Sequence, residues 1–481
     1  MIDPLQAVEN ASTLISEVDS DPSYAYRRNF LRCRIAETLA FIQEKDKALA
    51  LINNVQEDSS TPKSLHREII AALAKIASAS NDFELLQEVI FLAESLPMHR
   101  EYLIRIASLE YIEICQKLVT TVPLNEMKRH LAFILSLGNQ IKDRLNKQLL
   151  YSTLISFYSF LAKTYQHSQF IKDALKLYRE LPSLDRDPHA FFLKESVEIA
   201  TLYYNFGNFK MGLSILRDEV EKIQELESSL EKHLDHSFSE INDEIILDKQ
   251  QEIIRGYSEL SNFFLLFKDY STWYFCITRV LSVQKTINRL FVDIIVETGC
   301  KIYIHTFEGI KMGEDIPSAL LTKVKNRSYS EIDALQKMVQ NLQRDPSTLW
   351  KSLLRISKAL LVSKNDSQAR KLSKRLPSTI SELTIFDATK LYLELVEYSR
   401  DLSYLDPLLE MISSLNPQGV YFVRVNCELA EKFCHFSQIF QDHSLISRAV
   451  SFLHAIDPNH SYRLDCVNSW LRIAEAVFLC F

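Results

Sequence analysis

The sequence predicts an all-α protein, an α-solenoid of antiparallel helical hairpins, and three observations predict it. Glycine supplies only 8 of 481 residues, against a usual share of ~7%. An Ile or Leu followed by a small residue recurs along the chain, with a helix-packing residue 13 positions further on. Counting 20 positions from the same start reaches a Leu or Val in five units, and in three of them the next residue is proline.

The glycine count excludes as much as it suggests. Phosphate cradles and dinucleotide-binding turns need glycine where backbone bends sharply or approaches a ligand, whereas helices do not. Hydrophobic content of 47% and charged content of 24% supply an ordinary folded core. A net charge of −7 argues against nucleic-acid binding, which needs a positive footprint. The cysteines at 33, 115, 276, 300, 427, 434, 466 and 480 are scattered without paired spacing, which suits a reducing, cytoplasmic compartment. The start, Met1-Ile-Asp-Pro-Leu5, has no basic segment leading an apolar run, so no ordinary secretory signal is expected. The densest apolar stretches, 263–267 and 477–481, are five residues long, against ~20 for a membrane-spanning helix.

The repeat follows from arithmetic. Ile35-Ala36 leads to Ala48, Leu161-Ala162 to Ala174, and Ile356-Ser357 to Ala369. Ile76-Ala77 leads to Val89, Ile199-Ala200 to Gly212, and Leu395-Val396 to Leu408. The small residue lets the second helix of a hairpin approach the first closely, and the later residue is its contact. Offset 20 lands on Val55, Leu96, Leu181, Leu376 and Leu415, with Pro97, Pro182 and Pro377 adjacent. These prolines are expected to end the second helix of each unit. The unit at Ile199 reaches Glu219 instead, so its second helix is expected to run on. Leu429-Ala430 and Ile473-Ala474 restart the motif near the C-terminus, where a last helix is expected from about Tyr462.

Leu161-Ala162, Tyr165, Ala174, Tyr178 and Leu181-Pro182 resemble the tetratricopeptide pattern of Leu, small, Tyr, Ala, aromatic and Pro. Ile199-Ala200, Tyr203, Gly207 and Gly212 are similar to it as well. The resemblance covers about half the chain in six degenerate units that lack the early Trp and mostly lack the turn Gly. It implies a superhelix with a concave, ligand-holding face.

Composition divides the chain into N-terminal repeats over 1–216, an extended charged helix and middle hairpins over 217–306, a loop or hinge over 307–330, and C-terminal repeats over 331–481. Gly309, Gly313 and Pro317 motivate the hinge.

No Walker-type loop, His-Glu-x-x-His, Gly-x-Ser-x-Gly or Cys-x-x-Cys is present, so no catalytic residue, cofactor or metal is expected. His233 and His236 lie one helical turn apart, and Cys427, Cys434 and His435 form the densest soft-ligand region. A solvated helix face and a buried seam account for them more simply. Arg370, Lys371, Lys374 and Arg375 could hold an acidic partner or phosphate, or be the solvent side of a second repeat helix. Tyr203, Tyr204, Phe206 and Phe209 could line a peptide groove, or serve the core. The terminal run from Val477 could dock into a partner or complete the last hairpin. The expected function is a non-catalytic scaffold or adaptor, chaperones included, that binds a protein or peptide, with no nucleic acid and no membrane span. The alternative is an enzyme whose active site is assembled between helices without a recognised motif.

Overall fold

The computed structural model describes residues 3–16, 24–58, 61, 63–96, 99–184, 192–236, 243–287, 292–312, 316–340, 346–375, 381–457 and 462–480. Among them are twenty-two α-helices and no strand. In chain order these are α1 (Pro4–Ser16), α2 (Ala25–Phe41), α3 (Lys45–Glu57), α4 (His66–Ala79), α5 (Phe83–Glu94), α6 (Arg100–Leu118), α7 (Leu124–Gln140) and α8 (Arg144–Tyr165). Then follow α9 (Gln169–Leu184), α10 (Leu193–Asn205), α11 (Phe209–His236), α12 (Asp243–Leu266), α13 (Tyr270–Thr286), α14 (Val292–Met312) and α15 (Ser318–Gln340). The rest are α16 (Pro346–Val362), α17 (Asp366–Ser373), α18 (Glu382–Ser399), α19 (Asp406–Ile412), α20 (Val420–Phe440), α21 (Ser444–His454) and α22 (Cys466–Cys480). The chain is an all-α solenoid of antiparallel hairpins.

It divides into two compact units, Met1–Thr153 with Leu408–Phe481, and Leu154–Pro407. In the first, α2 packs on α3, α4 on α5, α6 on α7 and α20 on α21, while the leading helices of neighbouring hairpins pack side by side, α20 on α22, α22 on α2, α2 on α4 and α4 on α6. In the second, α10 pairs with α11, α12 with α13, α14 with α15 and α16 with α17, and α12, α14, α16 and α18 form the row of leading helices.

One turn recurs between the helices of a hairpin, and it sets the register. Gln43, Asn81, Gln166, Gly207, Lys268, Lys364, Arg400 and Gln441 each have positive φ. In six of these turns the next residue is Asp or Asn: Asp82, Asn208, Asp269, Asn365, Asp401 and Asp442. The left-handed residue stops one helix, and in all of these turns but that of Asn365 the short polar side chain after it accepts a backbone N–H of the next element. Asp82 accepts the backbone N–H groups of Glu84 and Leu85, both at 3.0 Å, and Asp442 that of Ser444 at 3.0 Å. Gly207, at φ 78, is the one glycine in this set. A non-glycine residue tolerates the same conformation at a cost of about 1 kcal/mol.

Counted from the left-handed residue, Ala36, Ala200 and Ser357 stand seven positions before it, but Ala77, Ala162 and Val396 only four. The Ile/Leu-small motif is therefore out of phase by about one helical turn in three of its six units. In the phase set by the turns, position −7 holds Ala36, Ala74, Ser159, Ala200, Ser261, Ser357 and Cys434, small in seven units of eight, with Leu393 the exception. All eight are buried. Ala48, Ala77, Ala162, Ala174 and Ala369 are fully buried too. At Gly212 the paired helices come close, since a Cβ there would lie 2.7 Å from the Ala200 carbonyl oxygen and 2.8 Å from the Phe267 ring.

Three expectations are corrected. Residues 307–312 and 318–330, expected as a loop or hinge, belong to α14 and α15. Gly309 is a packing glycine, since a Cβ there would meet Asn262 Oδ1 at 2.1 Å, and the Pro317 carbonyl accepts the N–H groups of Leu320 and Leu321 to open α15. Gly313 lies outside the described residues. Pro182 does not end its helix, because α9 continues to Leu184. Proline at that place costs one backbone bond near a terminus, where the helix is already fraying. The repeat is also wider than six units, since α6–α7, α12–α13, α14–α15 and α20–α21 are hairpins as well. Pro97, Leu376 and Pro377 lie outside the described residues.

Candidate functional site

The aromatic candidates gather at hairpin turns. Tyr204, at the end of α10, meets Phe209 at the start of α11 edge-on at 4.9 Å, and Phe267 of the next turn edge-on at 5.2 Å. Phe209 is 53% exposed, with Met211 at 39% and Leu266 at 37% beside this aromatic base. Tyr203 and Phe206 are half-buried. Burial pushes the Tyr203 hydroxyl above its ordinary range. Phe264 and Trp273, on either side of the next turn, are core residues with no exposure.

The basic candidates separate into two kinds. Arg370 is engaged internally: it grips Asp401, donates to Ser403 Oγ at 2.8 Å and stacks on Tyr404 at 4.8 Å. Bonding to Arg370 first, and to the Ser403 backbone next, holds the Asp401 carboxyl below its usual range. Two other junctions are built alike, a cation on a second helix holding the capping aspartate of the next turn: Lys45 on Asp82 at 2.7 Å and Arg217 on Asp269 at 2.7 Å. Lys371, Lys374 and Arg375 are exposed and make no ion pair among the described residues.

Sequence reading missed the buried carboxylates. Glu227 of α11, 5% exposed, accepts the Tyr257 hydroxyl at 2.9 Å and both Nε (3.1 Å) and Nη2 (2.5 Å) of Arg279. Two turns earlier on the same face, the fully buried Glu219 accepts the Tyr178 hydroxyl and Lys222 Nζ. Burial first, and then the facing carboxylate, push both tyrosine hydroxyls far above their ordinary range. In the first unit, burial with the nearby charge of Glu113 pushes the Glu110 carboxyl up to about 7.

Two clefts lie apart from these groups. One of ≈ 480 Å³ lies between α12 and α14, lined by Glu252, Arg255, Glu259, Glu297, Lys301 and His305 among others. The other, ≈ 490 Å³, lies between α20, α22 and the end of α2, with Glu428, Glu431 and Glu475 facing Phe41 and Leu479. Glu110 lines neither. Among the described residues no group of three His, Cys, Asp or Glu side chains could hold a metal ion. Cys427 faces Cys466 at 3.7 Å, on a neighbouring helix. The side chains of His233 and His236 lie outside the described residues.

Val477 is buried and Phe478 meets Phe41 edge-on at 5.9 Å, so α22 is part of the array; Phe481 is outside the described residues. No helix among the described residues is long and apolar enough to cross a membrane.

No protein-family model matches the chain, and no curated protein does. Among solved structures it is similar to a circular tandem repeat protein with novel repeat topology and enhanced subunit contact surfaces, at 13% identity and a TM-score of 0.26, over 98% of this chain and 96% of that one. So distant a likeness bears on neither function nor partners.

Proposed function

We propose that this chain is a non-catalytic scaffold that binds another protein or a peptide, and that the apolar patch of Phe209, Met211 and Leu266 is its contact surface. The observation carrying this reading is exposure backed by rigidity. Phe209 is more than half in solvent while its other face is braced by Tyr204, itself fixed against Phe267. Aromatic and Met side chains so held give up contact area to a partner at little cost in side-chain freedom, which is how binding hot spots are built. The free cations Lys371, Lys374 and Arg375 add selectivity for acidic partners. A reducing, cytoplasmic setting suits the seven described cysteines, all buried and none in a disulfide.

The experiment is a paired capture from the native cell with the wild-type chain and a Phe209→Ser, Met211→Ser variant, using cross-linking and quantitative mass spectrometry. The reading predicts proteins that the wild type retains and the variant loses about tenfold, equivalent to ~1.4 kcal/mol of contact. Identical captures by the two chains, both folded by circular dichroism, would remove the patch from consideration.

A further inference from the structure

No turn of the chain joins α22 to α1, the last and first helices of the sequence. Yet α1 lies along α22 as α3 lies along α2 and α21 along α20, and it touches α2 as α3 touches α4. The two helices complete one hairpin of the first unit, in which α22 leads and α1 follows. What holds α1 in that place is narrow. Ala7, Val8, Ala11 and Ile15 are buried in a single stripe, and the alanines at i and i+4 let α1 approach closely.

Its side-chain hydrogen bonds among the described residues stay inside the helix: Gln6 to Asn10, Ser12 to the Val8 carbonyl, Thr13 to that of Glu9 and Ser16 to that of Thr13. No ion pair ties α1 to another helix among those residues. The neighbouring junction of α2 with α22 is different, since Arg27 holds Asp465 and Thr38 donates to Glu475 at 3.4 Å. The buried side chains of α22 are largely apolar, with Ser469 donating to Glu431 of α20 at 2.9 Å. Val467, Trp470, Leu471, Ile473, Ala474 and Val477 of α22 are all buried, so that helix is enclosed on nearly every side.

We propose that the groove beside α22 is a helix-docking site with α1 as its resident occupant, and that it accepts in trans a short amphipathic helix bearing the same Ala-Val-Ala-Ile stripe. A helix whose ties to its neighbours among the described residues are apolar, with no peptide turn joining it to its partner, opens by itself before the array does. The groove then presents a preformed apolar face to any helix of matching pattern. This inference uses residues of the first unit only and stands independently of the patch on α11 and α12.

Two measurements test it. In hydrogen exchange on the full chain, α1 amides should exchange about 100-fold faster than those of α2 and α20, through local opening. A labelled peptide of residues 3–16 should bind saturably to the full chain carrying Val8→Asp, which dislodges the resident helix, and to a chain lacking residues 1–16. The same peptide with Val8→Asp should not bind either. Exchange of α1 in step with α2 and α20 would overturn the proposal, and so would a folded Val8→Asp chain that leaves the peptide free. Should the shortened chain fail to fold, the full-chain measurements decide alone. A dimer that the peptide dissolves places a second copy's α1 in the same seat and supports the proposal, whereas one it cannot dissolve counts against it.

Discussion

Two helices show opposite ways of building one fold. In α4, nine residues are buried, Ile69 to Leu73 among them with Ala74, Ile76, Ala77 and Ser78, and none is charged. In α11, Glu219 and Glu227 are buried on one face, each answered by a tyrosine hydroxyl and a cation. Small apolar residues need only a neighbour at the right distance. A buried carboxylate needs particular partners, because its desolvation is offset only when its lone pairs are met. The seam of α4 should therefore degrade gradually on mutation, whereas the network of α11 should fail sharply.

The largest effect is expected at Glu227. Its replacement by Ala strands the Tyr257 hydroxyl and releases the partly exposed Arg279, and should cost about 3 kcal/mol in urea unfolding. Combining Glu227→Leu with Tyr257→Phe should cost less than the single change, since both polar partners then leave together. A loss at Glu227→Ala no greater than that of a surface residue would end the contrast.

Gly212→Ala comes next, at about 2 kcal/mol, because the new methyl meets backbone at Ala200 and the braced Phe267 ring. Thermal or urea midpoints would register it.

Glu110 sharpens the comparison from the other side, as a poorly answered carboxyl within the first unit. Its folded pKa of about 7 stands above the ordinary 4.5, so its protonated form favours folding; that contribution is complete below pH 4.5 and is lost as pH rises through about 7. Glu110→Gln should thus stabilise by about 1 kcal/mol at pH 8 and change little at pH 4. Urea titrations at the two pH values separate the outcomes, and equal effects at both would contradict the assignment. The two tyrosines that face the α11 carboxylates, Tyr178 of α9 and Tyr257 of α12, give the matching alkaline signature. With folded pKa values raised above the ordinary 10.0, Tyr178 and Tyr257 contribute stability below pH 10 that falls away as pH rises further, and Tyr257→Phe should flatten that decline.

The smallest expected effect is at Phe209, where Ser should alter stability by no more than about 0.5 kcal/mol while impairing partner capture.

What the sequence disclosed follows the same division. The hairpins were legible because a small residue beside a large one, repeated at a helical spacing, is a local pattern. Their phase was not: Ala77 and Ala162 imitate Ala36 one turn out of place, and only the left-handed residue at the turn tells them apart. The Asp or Asn after that residue was the available signal. The aromatic candidates were recognised by type, and Tyr204 and Phe209 do come together, but at turns, where a pattern of helix faces gives no warning. Arg370 belonged in sequence with Lys371, Lys374 and Arg375, yet its partner Asp401 lies 31 residues away. Glu227 and Arg279, 52 apart, were hidden likewise, since charges within α11 read as a solvated face. Gly309 misled because a glycine that admits a neighbouring side chain has the same letter as one that bends the chain.

The composite hairpin also bears on how the molecule is made. Synthesis delivers α1 long before α22, so the stripe on α1 waits, uncovered, while the intervening chain leaves the ribosome. Two of its four buried positions are alanine, which offers a stray hydrophobic surface little to hold. Bringing the two helices together then closes a loop that holds every described helix between them, and so non-local an event should be slow.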